Sequence, residues 1–167
     1  MTADHAWERR VTELWAAIDG HEPAAFVEKM RELTGERPPG DAIAAFELAS
    51  ANDSVGYGDA AVPLYRSALE GGLPAGLRRR AVIQLASTLR NLGELEESLA
   101  YLRAERGAGS DDLDDAVVAF LALALVDAGR EKEAASLALT ALARHLPRYN
   151  RSLANYAREL LEGPEGA

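Results

Sequence analysis

The chain has 167 residues, 48% of them hydrophobic, with a net charge of −9, no cysteine and no long block of like charge. This suits one folded domain and excludes disulfides, thiolate nucleophiles and cysteine zinc sites. A pI near 4.9 opposes general binding to nucleic acid or to an anionic membrane surface.

From the N-terminus, Trp7, Val11, Leu14, Trp15 and Ile18 share one helical face. Gly20 marks a turn, and a second helix carries Phe26, Val27, Met30 and Leu33 before Glu36-Arg37-Pro38-Pro39-Gly40 ends it. Asp4, Glu8, Arg9, Arg10 and Glu13 interrupt any export-signal core, which with the absence of cysteine makes the cytoplasm the expected location. Residues 1–39 thus read as an N-terminal helical hairpin.

Beyond it the chain repeats. Gly20, Gly56, Gly93 and Gly129 are separated by 36, 37 and 36 residues, which marks one supersecondary unit written four times. Seven residues before each of the last three glycines stands Ala49, Ala86 or Ala122, preceded by Leu48, Leu85 or Leu121. Five residues after it comes Ala61, Ser98 or Ala134, and twelve after it Ala68, Glu105 or Ala141. Small side chains at these points let two antiparallel helices approach closely. The glycines fall where a first helix ends and a left-handed backbone is favoured. Asp59, Glu94/Glu96 and Glu131/Glu133 then supply caps or negative charge at the start of the second helix. Pro63, past the first turn of its helix, predicts a late start or a small kink. Leu73-Pro74 and Leu146-Pro147 close second helices. The apolar run Ala116 to Val126 is too short to cross a bilayer and reads as a buried helix. Residues 148–162 predict an amphipathic helix with Leu153, Tyr156, Ala157 and Leu160 on the face that covers the last repeat; 163–167 are expected to be a flexible tail.

This pattern resembles the tetratricopeptide repeat, a helix-turn-helix unit of about 34 residues. The resemblance spans residues 40–147, and the extra residues fall in the turns between repeats. The repeat's second-helix aromatic stands at Tyr65 and is replaced by Leu102 and Ala138, while Glu105 occupies an alanine position. Asp53-Ser54-Val55-Gly56, Gln84 to Arg90 and His145 to Tyr149 are also similar to a group of small bacterial tetratricopeptide proteins of undefined function. The resemblance implies an all-α fold, a right-handed α-α superhelix of about four hairpins plus a C-terminal capping helix. The expected layout is a single solenoid domain over 1–162, with repeats at 40–74, 75–110 and 111–147 and the cap at 148–162.

No catalytic constellation accompanies it, and an enzyme is not expected. Lys29 and Lys132, the only lysines, follow no glycine-rich loop, so a phosphate-cradling loop is excluded. His5, His21 and His145 show no two-histidine metal spacing. Asp111 to Asp115 follows Ser110 at a helix start, where carboxylates complement the dipole. Ser87 and Ser136 sit at helical positions without a strand-to-helix elbow. Neither cofactor nor metal is expected.

A solenoid of this kind binds along its surface, the first helices lining the concave side. Phase from the small-residue positions places Phe46, Ser50 and Asp53 in that groove, then Arg80, Ile83, Gln84, Ser87, Arg90 and Asn91, then Ala119, Leu123 and Asp127. Trp7, Arg10 and Leu14 extend it. The middle strip offers donors to a peptide backbone or a carboxylate, so the expected partner is a protein or peptide with an acidic or extended segment, with no nucleic acid and no membrane. In the alternative reading Arg90 bridges Asp53 and Asp127, and Arg78 to Arg80 are solvated or pair with Asp111 to Asp115. Chaperone-tail clamps of this family use lysine and asparagine where Phe46 and Ser50 stand, so such a clamp is not expected. The competing role is self-association, a homodimer whose groove or Trp7/Trp15 helix is filled by a second copy.

Overall fold

The computed structural model describes residues 3–162, which form nine α-helices and one short 3-10 turn, with no strand among them. The expected tail at 163–167 lies outside the described residues. The contacts group into two compact units, one up to Thr88 and one from Leu89.

The first unit opens with α1 (Ala3–Ala16) and α2 (Pro23–Thr34), joined through the 3-10 turn Ile18–Gly20. Their facing apolar stripes enclose Trp7, Val11, Phe26, Val27 and Met30 with Ala51, and Leu14, Trp15, Ile18 and Leu33 pack around this core. Trp7 is buried, its indole N–H donates to the Leu33 carbonyl at 2.8 Å, and the Arg37 guanidinium covers its ring. Arg10 is paired with Glu36. The expected groove extension through Trp7, Arg10 and Leu14 is therefore corrected: the first and last pack in the hairpin core, and the arginine ties α1 to the segment that follows α2.

Next come α3 (Ala42–Ser54) and α4 (Gly58–Glu70), then α5 (Ala75–Asn91). Asp41 caps α3, its side chain accepting from the Ala44 N–H at 2.9 Å. Ala49, Ala61 and Ala68 are all fully enclosed, as expected of the close crossing of α3 and α4. Pro63 lies inside α4, which is continuous from Gly58, so the expected late start is not observed.

The second unit holds α6 (Leu95–Ala108), α7 (Asp114–Asp127), α8 (Glu131–Ala143) and α9 (Asn150–Glu162), with α7 packed on α6, α8 on α7 and α9 on α8. Ser98, Leu121 and Ala134 are buried at their repeat positions, and so is Glu105, the carboxylate in the alanine place. On α9 the structure departs from the sequence reading. Ala157 is enclosed and Leu153 half-buried, whereas Tyr156 and Leu160 stay exposed.

The turns within the three repeats are alike to the hydrogen bond. Gly56, Gly93 and Gly129 have φ of 86°, 86° and 71°. Their N–H groups donate to Asp53, Arg90 and Val126, each at 3.0 Å, and the next residues, Tyr57, Glu94 and Arg130, donate to Asn52, Leu89 and Leu125, each at 2.8 Å. These paired bonds satisfy the helix's last carbonyls in the Schellman arrangement. Gly20 does not share it: its φ is not positive, and a 3-10 turn does the work instead. The second helices carry acids in their first turns, Asp59, Glu96/Glu97 and Glu131/Glu133, but no side-chain cap, so of the two expected roles only the charge contribution is seen. A Cβ at position 93 would meet no atom within 4 Å. Gly93→Ala is thus a test of backbone conformation alone, expected to cost about 1–2 kcal/mol by chemical denaturation.

Candidate functional site

In the first unit, Asp53 near the end of α3 is held from two helices. The Tyr65 hydroxyl on α4 donates to its Oδ2 at 3.3 Å. Thr88 Oγ1 on α5 lies 2.8 Å from Asp53 Oδ1 and 2.9 Å from the Gln84 carbonyl, one proton serving both acceptors. One turn back, Ser50 Oγ approaches Gln84 Oε1 at 3.5 Å, a weak contact. Burial above all, then the neighbouring Asp53, pushes the Tyr65 hydroxyl pKa up, so it stays a protonated donor.

Beside this network stands Arg80. Its guanidinium sits over the Phe46 ring, 5.4 Å from the centroid, while Phe46 packs against Tyr65 with ring centroids 6.3 Å apart. Arg80 is exposed and makes no salt bridge among the described residues. Stacking covers one face of the guanidinium and leaves its edge, with the N–H donors, open. On the other side Glu47 accepts from the Trp15 indole at 2.7 Å. Burial holds the Glu47 carboxyl above the ordinary carboxylate range, and Trp15 and Arg80 pull it partly back.

The sign of that shift sets a test. The folded chain binds the Glu47 proton more tightly than the unfolded chain does, so the associated stability is full below the ordinary carboxylate pKa and lost as pH rises through the folded value. Glu47→Gln keeps an acceptor for Trp15 and removes the charge. Its melting temperature is expected to exceed wild type by about 2 °C at neutral pH. The gap should close below about pH 4 in a thermal melt series.

Of the residues expected in the groove of this unit, Arg80 is exposed and Asp53, Gln84 and Ser87 are half-buried. Phe46, Ser50 and Ile83 are buried and form the floor rather than a contact surface. Phase identifies which way a residue faces on its helix, but Arg80 and Tyr65 cover Phe46 from neighbouring helices. The Asp53–Thr88 bond was not read from the sequence. The two residues are 35 apart and Ser50 and Gln84 34 apart, two and three short of the 37 that separate Gly56 from Gly93, so the repeat count alone does not pick out either pair.

In the second unit, Arg90 Nε donates to Asp127 Oδ2 at 2.5 Å across 37 residues. Asn91, Leu123 and Ala119 are exposed. Asp115 is engaged by Arg144 at 2.6 Å and His145 at 2.7 Å. The rest of the aspartate run organises the start of α7: Leu113 N–H donates to Asp111, while Asp114 accepts from Ser110 Oγ and the Asp111 N–H. No group of three or more histidine, aspartate or glutamate residues that could hold a metal occurs among the described residues. None of the described helices is long and apolar enough to cross a membrane.

A family model described as Tetratrico peptide repeat matches residues 42–160, well over half of the chain. The protein belongs to the tetratricopeptide repeat family, whose members are in general non-catalytic scaffolds for contacts between proteins. No curated protein and no solved structure matches it.

Proposed function

We propose that the chain is a non-enzymatic adaptor of the bacterial cytosol that takes an extended peptide carrying a carboxylate on the exposed faces of its repeat helices. The observation that carries this reading is Arg80: an exposed guanidinium stacked on Phe46, with no salt bridge among the described residues, beside Gln84 and Ser87. A fork held flat in this way loses little freedom on meeting a carboxylate, and the amide and hydroxyl next to it suit a peptide backbone. The Asp53–Thr88–Tyr65 network supports the floor from beneath. The cytosolic placement rests on the lack of cysteine; the bacterial one rests on an alanine-rich composition with sixteen arginines to two lysines.

Against the alternative of a second copy on the N-terminal helix weigh the burial of Trp7 and the bond from the Trp15 indole N–H to Glu47.

Peptides selected from a displayed random library on the immobilised protein supply the test. Their affinity, measured by fluorescence anisotropy, should fall at least about tenfold for Arg80→Ala/Gln84→Ala at unchanged melting temperature. Retention of wild-type affinity by that variant would overturn the assignment.

A further inference from the structure

The last helix carries its charge the wrong way round. Acids occupy the first turns of α4, α6, α7 and α8, where they complement the helix dipole. In α9 the first turn holds Arg151, preceded by Arg148, and the last turn holds Glu159 and Glu162, with Arg158 just before it donating to Asn155. None of Arg148, Arg151, Glu159 and Glu162 makes an ion pair among the described residues, whereas Asp115, Arg130 and Arg90 in the same unit all do. For the helix alone this layout is unfavourable.

The same helix leaves an aromatic flank uncovered. Tyr149 is 77% exposed, Tyr156 64% and Leu160 37%. Tyr149 stands just before the helix and Tyr156 two turns into it, about 10 Å further along the axis. Tyr149 has φ of 66°, a left-handed backbone rare for a bulky side chain, and Ser152 Oγ donates to its carbonyl at 3.1 Å. The bend thus holds the ring away from the protein. Leu160 lines a shallow recess with Gly129 to Glu133 at the start of α8, while the two tyrosine rings stay largely exposed.

We propose that a second copy of this chain docks here, the two α9 helices pairing antiparallel about a two-fold axis near residues 152 and 153. That axis sets Tyr149 level with Tyr156 of the second copy and brings Arg148 to within about 3 Å along the axis of the level of Glu159 of the second copy, a gap an arginine side chain spans, and the two-fold repeats each pair. The Arg148–Glu159 contacts then offset part of a charge order the single helix does not favour. Offset aromatic pairs supply the apolar contact. A contact of two short helices is at the small end of stable interfaces, so the dimer is weak and reversible.

Sedimentation equilibrium of the full chain over a wide concentration range tests this, with matched melting temperatures as the control for folding. Wild type is expected to be a monomer–dimer equilibrium. Tyr149→Ala/Tyr156→Ala and Arg148→Glu should each weaken dimerisation at least about tenfold. The double swap Arg148→Glu/Glu159→Arg should restore it to within about threefold of wild type, a rescue that a merely structural role for either residue would not produce. A monomer at every concentration overturns the proposal, as does a dimer insensitive to these changes or a swap without rescue. Loss of the dimer in Arg80→Ala/Gln84→Ala instead would assign self-association to the other face.

Discussion

Tyr65→Ala is expected to lower the free energy of unfolding by about 3–5 kcal/mol. The ring is fully enclosed, packs against Phe46, and lies under the one carboxylate that links α3, α4 and α5. Truncation leaves a cavity that α3 and α4 cannot fill, because their crossing is already set by Ala49, Ala61 and Ala68. It also removes one of the two hydroxyls that bind Asp53. Tyr65→Phe separates the contributions: the ring stays, Thr88 still binds Asp53, and the expected cost falls to about 1 kcal/mol. Urea denaturation of the two variants measures both. A loss below about 1 kcal/mol for the alanine would mean that Tyr65 is not the anchor of the first unit.

The second large effect comes from the small-residue code. Ala61→Leu inserts three heavy atoms where α3 and α4 touch, at a residue with no exposed surface. Overpacking of this kind costs about 1–3 kcal/mol. At Ala138, an exposed position of α8, the same substitution should change stability by less than about 0.5 kcal/mol. Alanine-to-leucine raises apolar content equally in both, so composition and helix propensity cannot produce the difference. Similar denaturation midpoints for the two variants would show that the helices are not locked by close approach at position 61.

The repeat was legible because its rules are local. A helix that must end in a left-handed residue asks for glycine, and three glycines at repeat spacing do this with near-identical hydrogen bonds. Gly20 shares the spacing but not the backbone, since the turn after α1 closes by a 3-10 segment; spacing alone does not separate the two. Depth was less legible than direction. Phase placed Phe46, Ser50 and Ile83 toward the groove, but all three are buried. The same limit applies to Tyr156: amphipathic periodicity pointed it at the last repeat, while Ala157 took the enclosed place. Arg90 with Asp127, 37 residues apart, follows the period and was readable in advance, whereas Thr88 falls two residues short of it and the same count leads from Asp53 to Arg90 instead.

The central claim is that a peptide binds the polar face of the first unit formed by α3 and α5. Its most direct test is a set of amide nitrogen–proton spectra of the isotopically labelled full chain, recorded while the tightest display-selected peptide is titrated in. The predicted result is saturable shifts centred on Asp53, Arg80, Gln84, Ser87 and Thr88, with the amides of α2 and α8 unmoved. Shifts centred on any other helix, or none at saturating peptide, would contradict it.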